Sequence, residues 1–411
     1  MKDALIQNLE NQLKLKDFKL NSLLEITNSI NTNQSVKHLI RIYEFILKEQ
    51  LGFEKFILFI NQENWSYIIK TGYKGKIKGI DIERDLMRFK DITVIESSHI
   101  ELLNEFDVVI PVYHKEQPLA FLLLKGIGED EELNPGNSLN NLTFIQTLTN
   151  IIVVAIENKR MAKQSIKQER IKKELEVASE MQKLLFPQDL PSDKRIDLAA
   201  TYKARHEVGG DYYDFIPLND NEFIVCIADV SGKGISAAML MANFQATIRT
   251  LLKYQRFELE FLIEELNKKV MRSAKGEKFI TFFIGLYNST DRSFKYINAG
   301  HNHPILTNGK DATFLKKGCI GLGMLDEIPF IEPDTITIPP NSTLVLYTDG
   351  VVELQNKEGV YFETDRLIQL IHNFYPLKME DLNNIVFSKL DAWRGDKKLE
   401  DDTAIFSCRI F

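Results

Sequence analysis

From Asn140 to Phe186 the chain contains neither proline nor glycine, and Pro187 and Pro191 follow directly. Proline removes a backbone donor and clashes with the preceding turn, and glycine is the costliest ordinary residue inside a helix. A stretch that avoids both for so long and then stops at prolines reads as one long helix. Its second half places Met161, Gln164, Gln168, Ile171, Leu175, Ala178, Gln182 and Leu185 on alternating steps of three and four. This is a heptad seam in which three positions are glutamine, and polar seam residues fix register at a cost in stability. The spacing fits a solvated connector or a marginal parallel dimer helix. The second is the reading adopted, because a weak seam suits a helix that passes a change along the chain. Such a helix divides the sequence, and 411 residues is a length for two or three domains.

Ahead of it, residues 1–32 read as another helix. Ile6, Leu9, Leu13, Leu20, Leu23 and Ile30 fall on heptad steps, with Lys16 and Thr27 at the two remaining seam positions. An inter-subunit coiled coil is expected here in preference to a helix packed only on its own domain. Residues 33–157 mix a helix (Ser35 to Gln50), two short apolar strands (FEKFILFI, WSYIIK), two more strands around the turn HKEQ (DVVIPVY, PLAFLLLKG), and the helix beginning NSLNNLTF. That order resembles a GAF-type sensor domain, which implies an unidentified small-molecule or protein signal. His38, His99 and His114 are scattered and mark no haem or bilin site. Residues 158–190 are the linker helix.

The net charge of -7, from 51 basic and 58 acidic residues, argues against a protein that coats nucleic acid. Cys226, Cys319 and Cys408 lie far apart with no CxxC pair, which fits a reducing cytoplasm and argues against a zinc-cysteine site. MKDALIQNLENQ has no apolar core of a signal peptide, and the most apolar short run, Ile151 to Ile156, is too short to span a bilayer. A soluble cytoplasmic protein without membrane or nucleic-acid partners is expected.

Residues 191–411 alternate strands (IDLAATYK, EFIVCIADV, FITFFIGLY, SFKYINAG, DTITIP, STLVLYTDG, TAIFSCRIF) with helices (ISAAMLMANFQATIRTLL, LEFLIEELNKKVMRSA, DRLIQLIHNF, MEDLNNIVFSKLDAW). The rhythm predicts an α/β sandwich. Four acidic positions share one local design, a strand giving way to a turn: Asp211 in VGGDYYD, Asp229 in ADVSGKG, Asp349 in YTDGV, and the pair Asp401 and Asp402 before the last strand. Carboxylates gathered at strand ends repel one another unless cations neutralise them. Oxygen-only donors are the preference of Mg²⁺ and Mn²⁺. Two such ions roughly 3.5–4 Å apart can clamp a phosphate for in-line displacement. Each motif alone is weak, since Asp-Gly pairs are usually turns; four in one region are not.

The series GGDYYDF, ADVSGKGISAAMLMA, NAGHNHP, YTDGVVE and a late Asp-Asp before a strand, led by LEVASEMQKLLFPQDLP, resembles the RsbU/SpoIIE-type bacterial serine/threonine phosphatases. These are PPM-type, phosphatase 2C-like enzymes. The resemblance covers residues 170–411 and implies an α+β fold class: a GAF-like α/β sensor, a coiled-coil linker and a PPM-type α/β sandwich. It implies that Asp211, Asp229, Asp349 and Asp401, with the carbonyl of Val230, hold two divalent ions, Mn²⁺ or Mg²⁺. A metal-bridging hydroxide then attacks phosphoserine or phosphothreonine directly. The implied substrate is a phosphorylated STAS-domain protein, an anti-sigma-factor antagonist, and the implied assembly is a homodimer. The family ending is Asp-Asp-x-Thr; here Ala404 stands where Thr is usual, and Asp401 is acidic under either register, so it is preferred to Asp402. Asp214 reads as an outer-sphere or third-metal ligand or a turn residue, and Lys233 as a phosphate contact or a solvated turn lysine. His301 and His303 read as parts of a structural turn. The GGD at Gly209–Asp211 superficially resembles cyclic dinucleotide synthases, but those need a metal-binding Asp on a strand some tens of residues upstream, where only IDLAATYK with Asp197 stands, and DVSGKG and YTDG would be left unexplained. A metal-free pseudophosphatase that only binds its partner is the alternative reading.

Overall fold

The computed structural model describes residues 2–77, 80–114, 116–126, 141–254 and 258–411. These form two compact units, residues 1–169 and 170–411. The start of the helix at NSLN lies outside the described residues.

The first unit contains α1 (Lys2–Asn31), α2 (Val36–Phe45), β1 (Lys55–Asn61), β2 (Trp65–Thr71), α3 (Ile82–Asp85), β3 (Thr93–Val94), β4 (Val108–His114), β5 (Gln117–Lys125) and the start of α4 (Leu142–Lys183). The sheet is antiparallel with order β2-β1-β5-β4-β3. Strands β1, β4 and β5 alternate between two buried faces, which is why they read as nearly continuous apolar runs. Phe56, Leu58, Val108, Ile110, Leu122 and Leu124 meet α1, α2 and α4. Ile57, Phe59, Val109, Phe121 and Leu123 meet α3 and the neighbouring loops. The seam of α1 divides. Leu23 and Ile30 pack with buried Ile26 on this core, whereas Ile6, Leu9, Leu13 and Leu20 are 50–65% exposed. Ile152, Val153 and Ile156 of the most apolar run are buried in the same core.

The second unit begins with the last turns of α4 and contains β6 (Ile196–Lys203), β7 (Tyr212–Pro217), β8 (Glu222–Val230), α5 (Ile235–Tyr254), α6 (Leu259–Ala274), β9 (Ile280–Asn288) and β10 (Ser293–Ala299). Short strands β11 (Ile305–Thr307), β12 (Ala312–Phe314), β13 (Gly318–Cys319) and β14 (Asp334–Thr337) follow. Then come β15 (Ser342–Tyr347), α7 (Asp349–Val352), α8 (Thr364–Asn373), α9 (Met379–Arg394) and β16 (Thr403–Ile410). One sheet runs β13-β10-β9-β8-β7, with β14 paired to β10; the other runs β12-β11-β15-β16-β6. Both sheets contribute to one core, Ile224, Cys226 and Phe282 from the first and Leu344, Leu346, Phe406 and Cys408 from the second. The alternate residues Val345, Tyr347 and Ile405 face α8 and α9 instead. Helices α5 and α6 cover the first sheet through Met241, Phe244, Leu262 and Leu266. The result is the expected sandwich, with each sheet held between the other sheet and a helix pair.

Helix α4 ends at Lys183, not at Pro187. Leu184, Leu185 and Phe186 each bond back three residues, a tightened final turn that brings Phe186 onto the rings of Tyr202 and Tyr213. The seam reading changes here. Gln182 is not a polar seam residue facing a partner helix; it is buried and bonded to Gly209 of its own unit. Gln164 and Gln168 are exposed. The apolar residues left exposed in the last turns are Val177, Met181 and Leu184, a row spaced four and three residues apart. Packing of the Gln182 face on the domain turns that row outward.

Candidate active site

Strands β7 and β8 of one sheet and β15 and β16 of the other deliver the aspartates to one end of the sandwich. Asp211 immediately precedes β7, Asp229 is the penultimate residue of β8, Asp349 opens α7 directly after β15, and Asp401 precedes β16. Registers Tyr212↔Ala228 and Tyr347↔Ile405 align these ends within each sheet. Asp211 and Asp402 are buried, while Asp229, Asp349 and Asp401 remain partly open to solvent.

Glycine makes this convergence sterically feasible. A Cβ on Gly209 would lie 1.9 Å from the Tyr202 hydroxyl and 2.2 Å from Asp402 Oδ2. A Cβ on Gly350 would lie 1.9 Å from the Asp402 carbonyl oxygen. The glycines beside Asp211 and Asp349 are therefore needed for close approach of backbone, whereas Gly232 and Gly234 after Asp229 supply left-handed turns with φ of 83° and 76°.

The carboxylates oppose one another electrostatically. Burial, then the charges of Asp229, Asp402 and Asp349, pushes Asp211 well above the usual carboxylate range. Burial, then Asp349 and Asp401, pushes Asp229 up to about 7. Burial, then Asp401 and Glu353, pushes Asp349 up to about 6, with Lys233 opposing. Among the described residues no three His, Cys, Asp or Glu side chains are already arranged to hold a metal ion. The fit to divalent cations rests on the donor set: oxygen only, desolvated, mutually repelling, and partly reachable from solvent.

The two carboxylates of the last motif differ in surroundings. Asp402 accepts the Gly210 N–H at 2.7 Å and the Arg205 N–H at 2.8 Å, so both its oxygens hold the loop that carries Asp211. Asp401 instead faces Lys233, with Nζ at 2.5 Å from Oδ2. Lys233 also donates to the Glu400 carbonyl at 2.6 Å, so its charge and two of its donors are spent on the segment that bears Asp401. Ala404 takes part through its backbone alone, so the departure from threonine at that position leaves its bond in place: its N–H donates to Thr348 Oγ1 at 2.9 Å.

Asp214 has a different task from metal binding. It is fully buried and receives a bidentate pair from Arg249, Nε and Nη2 each at 2.7 Å, and the Tyr212 hydroxyl. This fork geometry ties α5 to β7 and uses both carboxylate oxygens. His301 is buried with Nδ1 2.9 Å from Thr281 Oγ1, and burial pushes its ring down to about 4, so it is neutral. It supports β9 beside Thr281, the cross-strand partner of Asp229. Val230 lies at the end of β8, where a Cβ on Gly210 would come within 3.0 Å of its carbonyl oxygen.

Residues 219–411 match the family described as Stage II sporulation protein E (SpoIIE). They lie in the second unit and make up just under half of the chain, which there resembles a SpoIIE-type PPM phosphatase domain. The phosphatase domain is similar to known proteins over a wider span. The chain is 29% identical over 246 residues to the phosphoserine phosphatase RsbU of Bacillus subtilis (strain 168), covering 59% of this chain and 71% of that protein. It is 25% identical to protein IcfG of Synechocystis, covering 66% of this chain but only 47% of that one. The solved SiaA-PP2C domain of Pseudomonas aeruginosa superposes with a TM-score of 0.52 at 19% identity, over 60% of this chain and 99% of that one. At that identity the likeness establishes the phosphatase fold. Among the described residues no helix is long and apolar enough to cross a membrane.

Sequence reasoning missed three members of the phosphatase site. Thr348 hydrogen-bonds Asp211, Arg249 holds Asp214, and Gln182 brackets Gly209 by donating to its carbonyl at 2.7 Å and accepting its N–H at 3.1 Å. Thr348 lies inside the quoted YTDGV motif, so its position was visible although its role was not. Neither Arg249 nor Gln182 carries a local signal, because their partners lie 35 and 27 residues away.

Proposed function

We propose that the chain is a metal-dependent protein serine/threonine phosphatase, a phosphoric monoester hydrolase acting on a phosphorylated STAS-domain protein under the control of a GAF-like domain. The observation that carries this reading is the convergence of Asp211, Asp229, Asp349 and Asp401 from four segments at one end of the sandwich. Those four, with the Val230 carbonyl, would hold two Mn²⁺ or Mg²⁺ ions. Bound there, the ions would supply Lewis-acid charge and a nucleophile from water for in-line attack on phosphorus.

The protein's own groups prepare that chemistry. The open carboxylates Asp229, Asp349 and Asp401 sit where solvent and a phosphoryl group can reach them. Asp402 fixes the backbone of the Asp211 loop. Lys233 pairs with Asp401 and holds it toward the loop after β8. The name of the RsbU relative supports phosphoserine as the substrate group, while the STAS protein follows from the family resemblance. The mixed sheet-and-helix first unit supports the sensor reading. The exposed rows Ile6–Leu20 on α1 and Val177, Met181 and Leu184 at the end of α4 and just beyond it support a parallel homodimer.

The test is hydrolysis of p-nitrophenyl phosphate, then of phosphorylated STAS proteins, with Mn²⁺ or Mg²⁺. Turnover is expected only with ions and is abolished reversibly by EDTA. Binding of a partner without turnover in saturating Mn²⁺ would favour the pseudophosphatase instead. Sedimentation of the same preparation is expected to show a dimer.

Transmission through α4 gains a specific contact in Gln182. Replacing it by leucine leaves the N–H and C=O of Gly209 without partners, a cost of about 1–3 kcal/mol each way for buried groups. The loop carrying Asp211 then loosens. Gln182→Leu is expected to lower kcat at saturating Mn²⁺ by roughly tenfold, the rate equivalent of about 1.4 kcal/mol. An unchanged rate would separate the linker from the active site.

A further inference from the structure

We propose that Thr348 is a positioning residue that orients the Asp211 carboxylate for ion binding. The inference rests on the metal-dependent reading above and concerns a side chain that touches neither substrate nor ion.

Thr348 follows β15 and is fully buried. Its backbone is extended, with φ -88° and ψ 166°, and it occupies the N-cap position of α7, yet its side chain makes no capping bond. A threonine there ordinarily accepts an N–H from the first turn, worth about 1 kcal/mol. This one instead turns toward the other sheet. Its hydroxyl lies 2.7 Å from Asp211 Oδ2 and its oxygen receives the Ala404 N–H at 2.9 Å. Its own N–H donates to the Ala404 carbonyl at 3.1 Å. The side-chain oxygen thus stands where the β15–β16 ladder would otherwise use a backbone carbonyl.

This arrangement gives the hydroxyl a partner for its proton and another for its oxygen. A hydroxyl has one proton to give. The Thr348 hydroxyl donates to Asp211 Oδ2 while its oxygen accepts the Ala404 N–H, so one side chain ties Asp211 to β16. One oxygen of Asp211 is thereby held against the β15–β16 sheet while its backbone neighbour Gly210 is held by Asp402. A carboxylate pinned through one oxygen presents the other in a defined direction, which is how outer hydrogen bonds tune metal ligands.

The experiment measures Mn²⁺ affinity by electron paramagnetic resonance on the full chain, for wild type, Thr348→Val, Thr348→Ala and Thr348→Ser. Outer-shell losses cost roughly 10–100-fold in metal affinity, and that loss is expected for Val and Ala, with Ser within about threefold of wild type by the same reasoning. Valine leaves the Ala404 N–H without a partner; alanine leaves room for water to meet it, so a folding defect confined to valine does not stop the test. Circular dichroism checks the fold of each. Alanine binding Mn²⁺ as tightly as wild type, or serine failing as badly as alanine, overturns the proposal. Wild type that binds Mn²⁺ but does not hydrolyse p-nitrophenyl phosphate overturns the catalytic reading and leaves the role of Thr348 standing. Wild type with no Mn²⁺ affinity overturns both.

Discussion

Asp229→Asn is expected to abolish Mn²⁺-dependent turnover, by roughly 10³-fold or more, and to raise the melting temperature measured in EDTA. Asp349→Asn is expected to do the same to a smaller degree. Both effects have one origin. The folded protein brings Asp211, Asp229 and Asp349 together against desolvation and mutual repulsion. Without ions that arrangement is a strain on the fold, and each amide relieves part of it. Sites built for charged ligands commonly store such strain.

The pH dependence has a definite sign. Asp229 titrates near 7 and Asp349 near 6 in the folded chain, against about 3.9 unfolded. Between those values the folded state binds more protons than the unfolded one, so stability falls as pH rises. The contribution is fully present below about pH 4 and is lost as pH climbs through 6 and 7. In EDTA, wild type should therefore lose melting temperature between pH 5 and pH 8, and Asp229→Asn should lose less. The difference at pH 8 is expected to be about 1–3 kcal/mol, or roughly 2–12 °C for a unit of this size. Differential scanning calorimetry in EDTA at both pH values is the measurement. A variant that melts below wild type at pH 8, or that turns over normally at saturating Mn²⁺, would contradict the site.

The adjacent pair at the start of β16 should separate function from stability. Asp401→Asn removes a charge from a partly exposed carboxylate whose partner is Lys233. Activity should fall by roughly 10²-fold or more, with the melting temperature in EDTA nearly unchanged. Asp402→Asn acts differently. Both Asp402 oxygens accept backbone N–H groups, from Arg205 and Gly210. An amide must turn its NH₂ toward one of those donors, leaving a buried N–H opposed by another N–H. Charge-assisted bonds of this kind are worth about 1.5–3 kcal/mol each, so the variant should melt lower with or without ions. Its activity should also drop, because the Gly210 bond holds the loop of Asp211. Melting curves in EDTA and Mn²⁺ titrations of the two variants distinguish the cases. Asp402→Asn with native stability would remove the clamp, and Asp401→Asn with full activity would remove Asp401 from the ion-binding set.

Much of the architecture was legible in the amino-acid order. The runs IDLAATYK, EFIVCIADV and LEFLIEELNKKVMRSA coincide with β6, β8 and α6. Those strands are covered on both faces, so their apolar residues run together, and α6 shows a clean one-sided stripe. Asp229 and Asp349 were legible as carboxylates closing an apolar run beside glycine, whereas Asp211 and Asp401 stand ahead of β7 and β16 and do not end a strand as the sequence suggested. Shorter elements such as β7, β12, β13 and α7 were not marked, because two to six residues carry too little periodicity and α7 begins at Asp349 itself.

What only the tertiary structure decided is which partner each polar group took. Asp214 and Asp402 stand in motifs that look as acidic as those of Asp229 and Asp401. The first is locked by Arg249 from α5 and the second by two backbone donors 192 and 197 residues away in sequence. Gln182 satisfies a heptad spacing as well as Gln164 does, yet it closes on Gly209. Thr348 stands at a helix start and spends its hydroxyl on Asp211. A local sequence states a residue's chemistry and its place on an element's face. Its hydrogen-bond partner depends on which distant backbone the packing of two sheets brings within 3 Å, and a buried polar group must find that partner because burial without one costs more than the bond itself yields.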